Sequence, residues 1–138
     1  MRIALVYFPV KGSDALVPLA KAMARAFEAS GHFVDVMEAR ADESRSLTGY
    51  DYVVFGSEGA GAFGKIPEGI PQFLAQSGML TGKRSMAFFR KSAFRSEKAL
   101  TRLMKAMEGE GMVISSAEIV TNESTAAEAA REAPVERR

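Results

Sequence analysis

The chain has 138 residues, a net charge of +1, 47% apolar residues and 25% charged ones, a size and balance at which one hydrophobic core buries most of the apolar surface. One domain spanning residues 1–138 is the expectation. The lack of cysteine excludes disulfides, thiol nucleophiles and thiolate metal sites, and a single histidine, His32, leaves little for an imidazole metal site or a Ser/His relay. No apolar run approaches the ~20 residues of a membrane span, and no signal-peptide pattern opens the chain, so a cytoplasmic protein without membrane or nucleic-acid partners is expected.

Residues 3–8 (IALVYF) are continuously apolar and rich in branched side chains, the pattern of a buried parallel strand. The following PVKGSD breaks that pattern and offers Ser13 or Asp14 as a helix N-cap. Leu16, Leu19, Ala20, Met23 and Phe27 recur at helical spacing, with Pro18 in the first turn and Gly31 as the stop. Residues 33–37 suit a shorter edge strand, and residues 52–56 a second buried strand.

A glycine-rich loop follows, after which Pro67 opens a helix carrying Ile70, Phe73 and Leu74 on one face. The turn LTGK leads into a fourth strand over residues 85–89, and Ser96 caps a helix with Leu100, Leu103, Met104 and Met107. Gly109 and Gly111 then precede a fifth strand over residues 112–120. In the tail, residues 121–138, Val135 is the sole large apolar residue, so a last helix has only Ala126, Ala127, Ala130 and Ala133 to pack with. That segment reads as a poorly packed helix or a frayed tail. The alternation of strands and helices specifies an α/β fold with a parallel sheet covered on both faces.

Across residues 2–120 the chain resembles a short-chain flavodoxin. The resemblance is carried by IALVYFPVKGSDALVPLAKAMARAFEASG, by LTGYDYVVFGSEGAGAFGKIPEGIPQFL, and by LTGKRSMAFF before a loop and helix. It implies a doubly wound five-stranded sheet of order 2-1-3-4-5 with FMN held where the connections leave strands one and three in opposite directions. A receiver domain of the same fold needs acidic residues after strand one and an aspartate after strand three, where this chain has Phe8-Pro9 and Ser57-Glu58.

Three loops bear on the site. A flavodoxin's first loop resembles Ser/Thr-x-Thr-Gly-Asn-Thr, whose hydroxyls and N–H groups cradle the FMN phosphate. Here Pro9, Val10, Lys11, Gly12, Ser13 and Asp14 take those places, and only the glycine matches. Pro9, Lys11 and Asp14 replace hydroxyls, and a carboxylate ~5 Å from a phosphate charge repels it by roughly 3 kcal/mol at an effective dielectric near 20. Lys11 offsets part of that. The loop is either a weakened anion site or an ordinary capped turn.

The second loop, Ser57, Glu58, Gly59, Ala60, Gly61, Ala62, Phe63 and Gly64, offers Phe63 as the ring against an isoalloxazine, or as an aromatic tucked into the core. Glu58 either orients a flavin N–H or caps its own loop. In the third loop Phe94 falls near the position of a second stacking ring, while Arg90, Lys91 and Arg95 stand where flavodoxins are usually acidic. Those charges would favour a reduced, anionic flavin, or they belong to a solvated basic loop. His32 belongs to the edge opposite the cleft, and Met79, Met86, Met104, Met107 and Met112 read as adaptable packing.

The resemblance thus implies an FMN-binding electron-transfer protein, monomeric or weakly dimeric, with a redox partner protein. No residue is expected to act as acid, base or nucleophile, so electron carriage fits better than substrate turnover. The alternative is a binding module of the same fold that has lost FMN and takes another anion or a protein partner in the same cleft.

Overall fold

Every apolar run predicted as a strand is one in the computed structural model, which describes residues 1–40 and 45–136. These residues form β1 (Arg2–Phe8), α1 (Leu16–Ala29), β2 (Phe33–Glu38), β3 (Tyr52–Glu58), α2 (Ile70–Ala75), β4 (Arg84–Arg90), α3 (Ser96–Gly109), β5 (Val113–Val120) and α4 (Glu123–Glu132). The strands make one sheet of order β2-β1-β3-β4-β5, and every neighbouring pair is parallel. This is the predicted order, with the switch of direction between β1 and β3.

Alternation along the strands divides the core in two. Ile3, Leu5, Tyr52, Val54, Met86 and Phe88 face α1 and α4, whereas Ala4, Val6, Phe8, Val53, Phe55 and Ala87 face α2 and α3. All seven residues of β3 are buried, which is why its sequence is apolar without alternation until its end. On the first face a Cβ at Gly56 would stand only 2.1 Å from ring atoms of Phe88, its register partner. The glycine lets that ring lie flat on β3.

Glycines terminate two helices in the same way. Gly31 and Gly111 adopt φ of 94° and 86°; their N–H groups donate to the carbonyls of Glu28 and Glu108, and the next residues, His32 and Met112, donate to Phe27 and Met107. Both are Schellman closures, for which the left-handed conformation favours glycine. Between β4 and β5 the register slips at Ser85/Met86 of β4, leaving Ser115 of β5 as an extra residue whose hydroxyl donates to the Ser85 carbonyl at 3.1 Å and meets the Tyr52 hydroxyl at 2.9 Å. Burial pushes the Tyr52 phenol pKa up, and the Ser115 hydrogen bond and Arg84 pull it back only in part.

Several boundaries differ from expectation. β3 continues through Ser57 and Glu58, and β4 through Arg90, because parallel pairing on both sides outweighs the polarity of single side chains. α2 starts at Ile70, not Pro67; Pro67 closes a preceding turn by accepting from the Ile70 N–H at 3.3 Å. α1 begins after Ala15 with no side-chain cap, since Ser13 and Asp14 lie too early to reach its first turn. Ser96 is the first residue of α3, not its cap, and Arg95 takes the cap position at φ 55°.

The C-terminal segment is better held than its small side chains suggest. Asn122 and Thr125 form a reciprocal capping box, Ala126, Ala129 and Ala130 are buried against α1, and Val135 closes the same core. Alanines let two helix backbones approach closely, so little side-chain volume suffices. Arg84 anchors the end by donating to the Pro134 and Val135 carbonyls, each at 2.6 Å. Residues 137–138 lie outside the described residues. Among those described, no helix is long and apolar enough to cross a membrane.

Candidate functional site

The carboxyl ends of β1, β3 and β4 bring the three predicted loops to one edge. After β1 the chain makes a turn in which the Ser13 N–H donates to the Val10 carbonyl at 2.9 Å. Gly12 sits at its third position with φ 81°, the geometry of a type II turn. Ser13 Oγ accepts from the Ala15 N–H at 3.3 Å, and the Asp14 carbonyl accepts from the Val17 N–H at 3.2 Å. Lys11 is exposed.

Ser57 and Glu58, expected in the second loop, are instead buried at the end of β3. Ser57 Oγ donates to the Phe8 carbonyl at 2.7 Å and ties the ends of β3 and β1 together. Glu58 is only 4% exposed. It caps neither its own loop nor a solvent-facing group: its Oε2 accepts from the Val10 N–H at 3.0 Å, and its Oε1 lies 3.5 Å from Arg90 Nε. Glu58 and Arg90 are register partners on β3 and β4, so their side chains leave the sheet on the same face, the α1 side. Arg90 Nε is buried and makes no hydrogen bond of good geometry. The Arg90 charge is thus matched by Glu58 and is not part of a free basic loop.

The rest of the second loop is shaped for display. The Ala60 N–H donates to the Lys65 carbonyl at 2.9 Å and closes its base, and Gly64 lies so close to α3 that a Cβ there would stand 3.2 Å from Lys98 Cβ and Cγ. Arg102 of α3 donates to the Phe63 and Gly64 carbonyls at 3.2 and 2.8 Å. Phe63 does not tuck into the core; it is 68% exposed. Gly59 packs beside Ser92 and Phe89, the nearest atom to a Cβ there being Ser92 Oγ at 3.5 Å.

The third loop is clasped by its own hydroxyls: the Ser92 N–H donates to Ser96 Oγ at 2.9 Å, and Ser92 Oγ donates to the Phe94 carbonyl at 2.9 Å. Phe94 is 64% exposed, and Lys91 and Arg95 point to solvent. Two phenylalanines held in the open by pinned loops are uncommon on a water-facing edge, where large apolar side chains normally find cover.

Sequence reasoning missed Arg102, because a lone arginine within a helix reads as a solvated charge, and it missed the Glu58–Val10–Arg90 connection, which exists only once the register is set. His32 lies at the opposite end of the sheet, its Nδ1 3.2 Å from the Met1 amino group. A second cleft of about 660 Å³ runs along the other flank of the first loop, between Val10, Ala39 and Pro67. Among the described residues no cluster of His, Asp or Glu suits a metal ion.

A parallel sheet of order 2-1-3-4-5 with its loops gathered at the switch between β1 and β3 defines the flavodoxin fold, and the chain has that fold. The chain is similar to oxidised flavodoxin 2 of Bacillus cereus, at 20% identity and a TM-score of 0.73, over 95% of this chain and 93% of that one. It is similar as well to flavodoxin 1 of the same organism, at 18% identity and a TM-score of 0.71 over 95% and 93%. The two-electron reduced flavodoxin of Megasphaera elsdenii matches at 18% identity and a TM-score of 0.67 over 95% and 99%. No family model matches the chain, and no curated protein sequence does.

For FMN the fit of these residues is divided. The ring end fits: two exposed phenylalanines flank the edge and glycines let the backbone approach a flat ligand. The phosphate end fits less well: Pro9, Lys11 and Asp14 stand where hydroxyls would be, and the Val10 N–H is bonded to a buried carboxylate.

Proposed function

We propose that the chain is a flavodoxin-like electron-transfer protein that grips a flavin ring between the loops carrying Phe63 and Phe94. The observation that supports this reading is the pair of exposed rings on loops fixed from below by Arg102 and Ser92. A flavin would supply the electron chemistry, and the chain would supply stacking, orientation and electrostatics. Of the three basic residues of the third loop, Lys91 and Arg95 have no acidic partner among the described residues, while Arg90 is paired. Electrons would pass to or from a partner protein docking over the same edge, with Lys91 and Arg95 favouring acidic groups on it.

A second reading, a module of this fold without flavin that binds an anion or a protein, draws support from the Glu58 bond to the first loop. Titration with FMN and with riboflavin, followed by the flavin's absorbance and fluorescence, separates the two. Saturable binding that Phe63→Ala combined with Phe94→Ala abolishes is the expected result. Failure of both flavins to bind a folded protein would refute the first reading.

A further inference from the structure

We infer that Glu58 is a built-in anion that occupies the first loop's N–H cradle, so that the edge selects a flat ring ligand with an uncharged tail over its phosphate ester. This inference rests on the flavin reading for its ligand, but its structural half stands without it.

Four donors of the first loop and the start of α1 have partners inside the protein. The Val10 N–H goes to Glu58 Oε2 at 3.0 Å. The Ser13 N–H closes the turn on Val10, and the Val17 N–H is taken by the Asp14 carbonyl. The Ala15 N–H is taken by Ser13 Oγ. Pro18 is the third residue of α1, where a further donor would otherwise be free, and it has no N–H to offer. A helix N-terminus attracts anions through such free donors, and here the Val10, Ser13, Ala15 and Val17 donors are spent inside the protein.

Charge runs the same way. Glu58 is buried at the loop's base and its counter-charge, Arg90, sits beside it on the neighbouring strand. An entering phosphate therefore meets a carboxylate that already holds both the donor and the cation it needs. The loop itself carries one acidic side chain, Asp14, and one basic side chain, Lys11. Displacing Glu58 would leave a buried carboxylate without partners, which is costlier than leaving the ligand's phosphate in water. An uncharged ribityl tail carries no such penalty, since it asks the loop for neutral hydrogen bonds only.

The test uses the whole chain, Glu58→Gln, which keeps an acceptor for Val10 while removing the charge, and Glu58→Ser, which vacates the cradle. The wild type is expected to bind riboflavin at least as tightly as FMN, and each variant to shift the ratio of the two dissociation constants toward FMN by at least about tenfold, because a like charge a few ångströms away is removed. In parallel, amide NMR spectra are recorded with inorganic phosphate alone. Millimolar phosphate should leave the Val10 resonance unmoved in the wild type and shift it in Glu58→Ser. Tighter FMN binding by the wild type with a ratio unchanged in both variants would overturn the selectivity, as would a phosphate-shifted Val10 amide in the wild type. If neither flavin binds any of the three proteins, the flavin reading and the selectivity fall together, and the phosphate titration still decides whether Glu58 fills the cradle.

Discussion

Gly56→Ala should destabilise the fold although the substitution adds one methyl group to a strand. The new Cβ would lie 2.1 Å from Phe88 Cε1 and Cζ, and Phe88 is fully buried between β4 and the α1–α4 layer. The ring must move by more than an ångström in a core that has no slack, an overpacking cost of about 1–3 kcal/mol, here toward the upper end. Removing a glycine from a strand returns roughly 0.5–1 kcal/mol of chain entropy, so the net loss is about 2 kcal/mol. In a domain of this size that corresponds to a fall in Tm of about 6–10 °C, or to a urea midpoint lower by ~1 M for a slope near 2 kcal/mol/M. Gly56 and Phe88 precede Glu58 and Arg90 by two residues on the same face, so the displaced ring should loosen that pair as well. Combining Gly56→Ala with Phe88→Leu removes the clash, and the double variant should be more stable than the sum of the singles by at least ~1 kcal/mol. An unchanged urea midpoint in Gly56→Ala would refute the reasoning.

Three further outcomes are expected of the same structure. Arg102→Met should leave Tm nearly unchanged while speeding hydrogen exchange in residues 59–65 by about tenfold, because two charge-assisted bonds to the second loop are lost; unaltered exchange rates would contradict its bracing role. Asn122→Ala, which breaks the capping box at α4, should cost about 1 kcal/mol in denaturant unfolding. Burial raises the Tyr52 phenol above its ordinary value of 10.0, so the folded state favours the proton: this contribution is complete below pH 10 and is lost as pH rises from there toward the folded value. Tyr52→Phe should therefore flatten the alkaline limb of a stability-against-pH curve, and an equally steep limb would exclude Tyr52 as its source.

The sequence by itself determined the element order and the parallel sheet, because IALVYF, YVVF and SMAFF are apolar on both faces and only central parallel strands bury both. It also determined the helix stop at Gly31, which depends on local φ alone. It marked Phe63 and Phe94 as loop aromatics, yet whether a ring turns inward or outward depends on what braces its loop, and for Phe63 the brace is Arg102 on α3, 39 residues away along the chain. The role of Glu58 was beyond sequence reading for a similar reason. Its polarity argued for a loop, but pairing with β1 and β4 carried the strand two residues further, and only that extension places its carboxylate between the Val10 N–H, 48 residues away along the chain, and the guanidinium of Arg90. Local propensity is a property of neighbours in the chain, whereas a buried charge is permitted or forbidden by neighbours across the sheet, and those exist only after the strands have found their register.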